Sequence, residues 1–211
     1  MAAPVKLHGY RYSVYNRIAR VALHCKQVNY EVIEVNPFSD LPESYLELHP
    51  FGRVPVLSHG SFNLFETGAI TRYVDRAFEG PPLQPENANA LARMDQVISI
   101  IDNYAYWPMV RQVFSHGVFR PLVGEASNSD EVAIGIEASK QVLSVLDDLA
   151  AEGNILDGRA VTLADCHLAP MLAYFVEADE GKRALHPFRF LRGWWDQIAT
   201  LDMLSDTDPL R

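Results

Sequence analysis

The chain has 211 residues, of which 48% are apolar, enough for the core of one large domain or two modest ones. Its 18 basic and 27 acidic residues give a net charge of -9, and no cluster of lysine or arginine stands out. This balance argues against nucleic acid and anionic membrane as partners. No apolar stretch approaches the roughly 18 residues of a membrane span, and a secretory leader pattern is absent, so we expect a cytoplasmic protein.

Cysteine and histidine spacing does not favour a metal site. Cys25 and Cys166 are far apart and neither belongs to a C-x-x-C pair, and the seven histidines form no H-x-H or H-x-x-x-H pattern. Cys25 falls on the apolar face of a predicted helix, where we interpret it as a core residue. We therefore expect no metal.

The first 79 residues predict an α/β domain. Residues 4–10 predict a short strand, and apolar positions three and four residues apart predict a helix over 14–27. The alternating run Y-E-V-I-E-V at 30–35 predicts a second strand, parallel to the first because a helix connects them. The stretch 42–48 predicts another helix.

The remainder of this domain contains an unusual proline. Residues 53–66 read as strand, S-H-G turn and strand, and a helix follows from Thr67 to about Phe78. Pro55 has no amide proton and is normally excluded from a central strand, so it indicates an edge, a bulge or a bend.

Residues 80–88 read as a linker, with three prolines within five positions. Beyond it, residues 89–211 predict an all-α domain, with helical periodicity over 88–116, 130–151, 163–178 and 187–200. Within V-T-L-A-D, Thr162 and Asp165 have the spacing of a capping box. We interpret Asp165 as structural rather than catalytic.

Four stretches in register carry a family pattern. They are K-L-H-G-Y-R-Y-S at 6–13, H-P-F-G-R-V-P-V-L at 49–57, F-E-T-G-A-I-T-R-Y-V at 65–74 and V-T-L-A-D at 161–165. Together they resemble the cytosolic glutathione S-transferases, most of all serine-type classes such as phi and theta. The resemblance implies a thioredoxin-like N-terminal domain, a helical C-terminal domain, a homodimer, and a glutathione site on the first domain.

The resemblance also assigns roles around Pro55. Pro55 would be a cis-proline that turns the backbone of Val54 outward to pair with the cysteinyl part of glutathione. Thr67 would cap a helix whose N-terminus binds the γ-glutamyl carboxylate, and Glu66 would meet the ligand's amino group. Family members often have a basic residue in the loop where this chain has Asp40, and Arg53 is the candidate to replace it.

The resemblance requires a group that lowers the pKa of the glutathione thiol. A free thiol has a pKa of about 8.5 and is only a few per cent thiolate at neutral pH. A hydrogen bond donated to a charged group contributes about 1.5–3 kcal/mol, whereas a helix terminus contributes about 0.3–1 kcal/mol. The resemblance favours Ser13 as this donor, although capping alone would also explain it, and Tyr12 and Tyr15 remain alternatives.

The second substrate, a small apolar electrophile, is expected between the domains. The candidate lining is aromatic and apolar: Tyr10, Tyr12, Tyr106, Trp107, Met109 and Val110. Ordinary helix packing would explain the same residues. Other possible functions are peroxide reduction, isomerisation or dehalogenation at the same site, or a non-catalytic binding role.

Overall fold

The computed structural model describes residues 3–211. Its contacts divide the chain into two units. The first unit contains the chain as far as Leu83 together with Ser205–Arg211, and the second contains Gln84–Leu204.

The first unit is built on a four-stranded mixed sheet. Its strands are β1 (Val5–Gly9), β2 (Glu31–Glu34), β3 (Val56–His59) and β4 (Phe62–Phe65), in the order β2-β1-β3-β4. β2 runs parallel to β1, as the connecting helix predicted, and β1–β3 and β3–β4 are antiparallel. The predicted α/β domain is confirmed.

Three helices complete this unit: α1 (Val14–Cys25), α2 (Glu43–Leu46) and α3 (Thr67–Ala77). α1 and α3 pack against each other. Their apolar faces are fully buried together with the inward residues of β1 and β3, and this core includes Leu7, Ile18, Ala22, Leu57, Ile70 and Val74. Cys25, expected in the core, is half-buried.

A buried ion pair fixes the segment that leaves the first unit. The Lys26 ammonium lies 3.2 Å from the Asp75 carboxylate and also donates to the carbonyls of Gly80 and Pro81. Asp75 in turn accepts the Leu83 amide at 2.8 Å. The start of the proline-rich stretch is therefore held by α1 and α3.

The C-terminal residues return to the first unit and lie against α1. The Arg20 guanidinium donates to the carbonyls of Asp206 and Thr207, and Arg11 donates to the carbonyl of Pro209 at 3.0 Å. Thr207 is buried. Ser205–Arg211 thus forms part of the packing of the first unit.

In the second unit every element of the described chain is helical, as predicted. The helices are α4 (Ala88–Ile100), a π-helical segment (Ile101–Phe119), α5 (Arg120–Leu122), α6 (Ser129–Ala151), α7 (Leu163–Glu177), α8 (Asp179–Leu185), α9 (Arg189–Ile198) and α10 (Asp202–Ser205), the last ending at the boundary with the first unit. The π-helical segment contains Pro108, which has no amide to donate.

α7 is the central helix of this unit. It is buried on nearly all sides and packs against α4, the π-helical segment, α8 and α9. At its start, Asp165 accepts hydrogen bonds from the Thr162 amide and hydroxyl, and its other oxygen accepts from the Trp194 indole at 2.6 Å. Burial raises the pKa of Asp165, against the effect of these donors. The predicted capping box of Thr162 and Asp165 is confirmed.

Candidate functional site

The turn between β1 and α1 presents the Ser13 hydroxyl. Ser13 is the N-cap of α1: its Oγ accepts the Asn16 amide at 3.3 Å, and its own amide donates to the Tyr10 carbonyl. A hydroxyl that accepts one hydrogen bond still has a proton to donate. Capping and thiol activation, the two interpretations of Ser13, are therefore compatible.

Asn16 and Gly9 fix the shape of this turn. Asn16 is buried, and its amide group donates to the Tyr10 carbonyl at 3.1 Å. Its side chain lies so close to Gly9 that an added Cβ there would come within 2.1 Å of Oδ1. The Asn16 side chain therefore packs against Gly9 and bonds to Tyr10, and so holds the turn that precedes Ser13.

The neighbouring tyrosines lie close to Ser13 in sequence and on the same turn. Tyr10 and Tyr12 pack edge to face with ring centroids 5.6 Å apart, and the Arg11 guanidinium lies 4.9 Å above the Tyr12 ring. Tyr15 is in the first turn of α1 and is half-buried. Participation of Tyr12 or Tyr15 in thiol activation stays a prediction.

The peptide between Val54 and Pro55 is cis, as predicted. Pro55 is buried, Val54 is half-buried and Arg53 is exposed. β3 begins only at Val56, so Val54 lies beyond the last ladder pair. The proline is thus at the entrance of a strand, where its missing amide disrupts no pairing.

Glu66 has an unusual backbone at the start of α3. Its φ of 70° lies in the left-handed region, which is rare for a residue other than glycine and is typically kept at functional positions. Glu66, not Thr67, is the N-cap, and its carbonyl accepts the amides of Ala69 and Ile70. Thr67 is instead the first helical residue and is buried. The first amides of α3 have no partner within the helix and make an anion site possible.

The register of the sheet brings the turns that carry Ser13, Val54 and Glu66 to the same end of its strands. His8, one residue before the end of β1, pairs with Val56 at the start of β3, and Val56 pairs with Phe65 at the end of β4. Because strands in a sheet lie only about 4.8 Å apart, the segments that continue from these residues are neighbours. The turns that carry Ser13, Val54 and Glu66 therefore leave the same end of the sheet.

The positive charge near Glu66 comes from arginine side chains and not from a histidine. His49 is buried, and its ring lies 4.7 Å from that of Phe65. Burial lowers the pKa of His49; Glu66 opposes this shift and Arg53 adds to it. His49 is consequently neutral at neutral pH. Arg53 is one cation near this turn, and Arg72, which donates to the Gly68 carbonyl at 2.9 Å, is another. Asp40 is exposed.

The candidate electrophile residues of the second unit lie in the π-helical segment. Trp107 is 62% exposed and Tyr106 is half-buried, whereas Met109 and Val110 are buried. Their role in binding an electrophile stays a prediction.

Within residues 3–211, no group of three or more histidine, cysteine, aspartate or glutamate side chains is placed to hold a metal ion. None of the described helices combines the length and the apolar character needed to cross a membrane.

Comparisons with known proteins identify the family. A family model for the glutathione S-transferase N-terminal domain matches residues 7–82, and one for the C-terminal domain matches residues 110–202. Glutathione S-transferase 3 of Zea mays is 31% identical over 97% of this chain and 93% of its own length. The chain belongs to the glutathione S-transferase family.

Further relatives extend this family assignment. Glutathione S-transferase F13 of Arabidopsis thaliana is 27% identical over 97% of this chain and 95% of its own length. Among solved structures, that of glutathione S-transferase III in apo form has a TM-score of 0.84 at 27% identity, covering 97% of this chain and 95% of its own. That of glutathione S-transferase-I bound with lactoylglutathione has a TM-score of 0.84 at 25% identity, covering 99% and 100%.

Proposed function

We propose that the protein conjugates the thiolate of glutathione to small apolar electrophiles, with Ser13 as the residue that stabilises the thiolate. The observation that carries this is the convergence, at one end of the sheet, of the Ser13 turn, the cis turn at Val54 and the α3 terminus at Glu66. Relatives in the family are named as glutathione S-transferases, and one solved neighbour holds a glutathione derivative.

Each turn has a separate task. The backbone of Val54, just before β3 at the end of the sheet, pairs with the cysteinyl part of glutathione as an added strand would. The γ-glutamyl carboxylate binds at the first amides of α3, and the ligand's amino group meets the Glu66 carboxylate. Arg53, the exposed cation on the same turn, is available to the glycyl carboxylate.

The chemical step needs only a hydrogen-bond donor. The thiol proton leaves to solvent, and the Ser13 hydroxyl donates to the sulfur without ionising. At about 1.5–3 kcal/mol, a hydrogen bond to a charged acceptor lowers the thiol pKa by roughly one to two units. The thiolate then attacks the electrophile and forms the carbon–sulfur bond. In a substitution the leaving group departs with its bonding pair, and in an addition the π pair moves onto the electron-withdrawing group, which takes a proton from solvent.

The test is ultraviolet absorbance of the thiolate as glutathione is titrated into the wild type and Ser13→Ala across a range of pH. We expect a depressed thiol pKa in the wild type that returns toward about 8.5 in Ser13→Ala. Because this change also removes a helix cap, Asn87→Ala, which removes the cap of α4, is the matched control and should leave the thiol pKa unchanged.

Other results would alter or refute the proposal. If Tyr12→Phe or Tyr15→Phe raises the thiol pKa and Ser13→Ala does not, the donor is a tyrosine. If glutathione binds without ionising, or does not bind, the transferase proposal is wrong.

Two wider properties belong to the same proposal. As a family member the protein is expected to be a homodimer, and light scattering should then give twice the 23.7 kDa mass of the chain. A cytoplasmic location and a detoxification role fit conjugation of apolar electrophiles, and fractionation of cells with antibody detection tests the location.

A further inference from the structure

A buried tyrosine outside the three turns bonds to one of them. Tyr45, in α2, is 5% exposed, and its phenol donates to the Arg53 carbonyl at 2.6 Å. Burial raises the pKa of Tyr45 to about 12, so the phenol keeps its proton over the physiological range. It is therefore a permanent donor to the backbone just before Val54.

That carbonyl belongs to the same peptide unit as the Val54 amide. The Arg53–Val54 peptide is trans, and a trans peptide is planar with its C=O and N–H pointing in opposite directions. A hydrogen bond that holds the Arg53 carbonyl toward α2 consequently holds the Val54 N–H away from α2. The phenol thus determines the direction of a group that it does not touch.

The position of the phenol is itself well determined. The Tyr45 amide donates to the Pro42 carbonyl at 2.9 Å, and the Tyr45 carbonyl accepts the amides of Leu48 and His49 at 2.9 Å. The chain then reverses at Gly52, whose φ of 60° favours glycine, and the Gly52 amide donates to the His49 carbonyl. α2 and the turn that follows it therefore form one bonded unit that ends on the Arg53 carbonyl.

We propose that Tyr45 is a positioning residue for glutathione, which aims the Val54 N–H at the cysteinyl part of the ligand by holding the other side of the same peptide. This inference rests on the proposed function, because it assigns the ligand of Val54 to glutathione. It predicts an effect on glutathione affinity that is separate from thiol activation by Ser13.

The experiment compares the wild type with Tyr45→Phe, which keeps the ring and removes only the hydroxyl. The matched control is Tyr73→Phe, which removes a phenol that bonds His59 at 2.9 Å in the same unit. Calorimetric titration uses glutathione and S-methylglutathione, since the methylated ligand has no ionisable thiol and so takes the Ser13 donor out of the measurement.

The expected result is selective. For Tyr45→Phe the Kd of both ligands and the KM for glutathione rise about three- to tenfold, the effect of losing one hydrogen bond. The kcat at saturating glutathione stays within about twofold of the wild-type value, because the thiol donor is unchanged. In NMR spectra of protein labelled with 15N-valine, the Val54 amide signal is assigned by its loss in Val54→Ala. We expect this signal to shift in Tyr45→Phe in the absence of ligand. Tyr73→Phe changes none of these quantities.

Each contrary result has a distinct meaning. If wild-type protein does not bind glutathione, the proposed function fails and this inference fails with it. If the wild type binds but Tyr45→Phe binds equally well, only the role of Tyr45 is refuted. A decrease in kcat with unchanged KM, or equal effects from Tyr73→Phe, would also refute it. Should Tyr45→Phe fold poorly, Gly52→Ala provides the test: it strains the turn that leads to the Arg53–Val54 peptide and must weaken binding of both ligands in the same way.

Discussion

The buried pair of Lys26 and Asp75 offers the sharpest test of what stabilises the first unit. Both side chains are almost inaccessible, at 3% and 5% exposure, so neither charge is solvated by water. Lys26→Met removes the cation paired with the Asp75 carboxylate, which still accepts the Leu83 amide, and it also removes the donor to two backbone carbonyls. Breaking one side of such a pair costs about 3–5 kcal/mol.

The magnitude can be checked by thermal and urea unfolding. For a chain of this size, about 2–4 °C per kcal/mol gives a decrease in Tm of roughly 6–20 °C. Asp75→Asn should cost less, about 1–3 kcal/mol, because the amide oxygen still accepts from Leu83 and Lys26. Lys140→Met, which breaks an exposed pair with Glu137 on α6, is the control and should stay within about 0.5 kcal/mol of the wild type.

The tryptophans help to locate the effect. Trp107, Trp194 and Trp195 all lie in the second unit, so their fluorescence follows that unit, whereas far-ultraviolet circular dichroism follows both. We expect the dichroism transition to move in Lys26→Met at least as far as the fluorescence transition. If Lys26→Met has the same Tm as Lys140→Met, the claim that removing the cation beside the buried Asp75 carboxylate is costly is wrong.

Three further predictions concern other positions. Gly135→Ala should destabilise the protein by about 1–3 kcal/mol, because the new Cβ would lie 2.8 Å from the Pro108 carbonyl oxygen. Gly193→Ala, with open space around the new Cβ, should be neutral or stabilising by up to about 1 kcal/mol. Comparison of the Tm values of the two variants with the wild-type Tm tests this prediction. Glu66→Gly should relieve a positive φ and raise Tm while weakening glutathione binding by calorimetry; a lower Tm would contradict the strain argument. Burial raises the pKa of Asp165, so its contribution to stability is full below the unfolded pKa of about 3.9 and is lost as pH rises through the higher folded pKa. Urea melts between the unfolded and the folded pKa should therefore show a smaller pH dependence for Asp165→Asn than for the wild type.

Much of the fold follows from patterns within short windows of sequence. Alternation over 30–35 and three-to-four spacing over 14–27 are local signals, and β2 and α1 were found where they predicted. The predictions of a cis peptide at Pro55 and of Ser13 as the thiol donor came instead from the family resemblance. Pro55 and Ser13 both lie within a few residues of a strand end, so a short sequence motif is enough to define their positions.

Features that depend on distant contacts were missed. Periodicity predicted one continuous helix over 88–116, whereas the structure has α4 followed by a π-helical segment from Ile101. Pro108 is the sequence signal within that segment for a departure from α-helical hydrogen bonding. α8 and α10 are too short to have a periodic signature. The positive φ of Glu66 and the bond from Tyr45 to Arg53, eight residues away, are assigned by no rule for turn residues.

The return of Ser205–Arg211 to α1 has a consequence for the order in which the molecule is made. A ribosome releases the chain from its N-terminus, and domains generally fold as they emerge. Here the first unit receives residues 206–209 only after the whole second unit has been made, since the carbonyls that Arg11 and Arg20 bind belong to those residues. Nascent chains would thus carry an unfinished first unit throughout translation of the second. Until residues 206–209 leave the ribosome, these guanidinium groups lack their carbonyl acceptors.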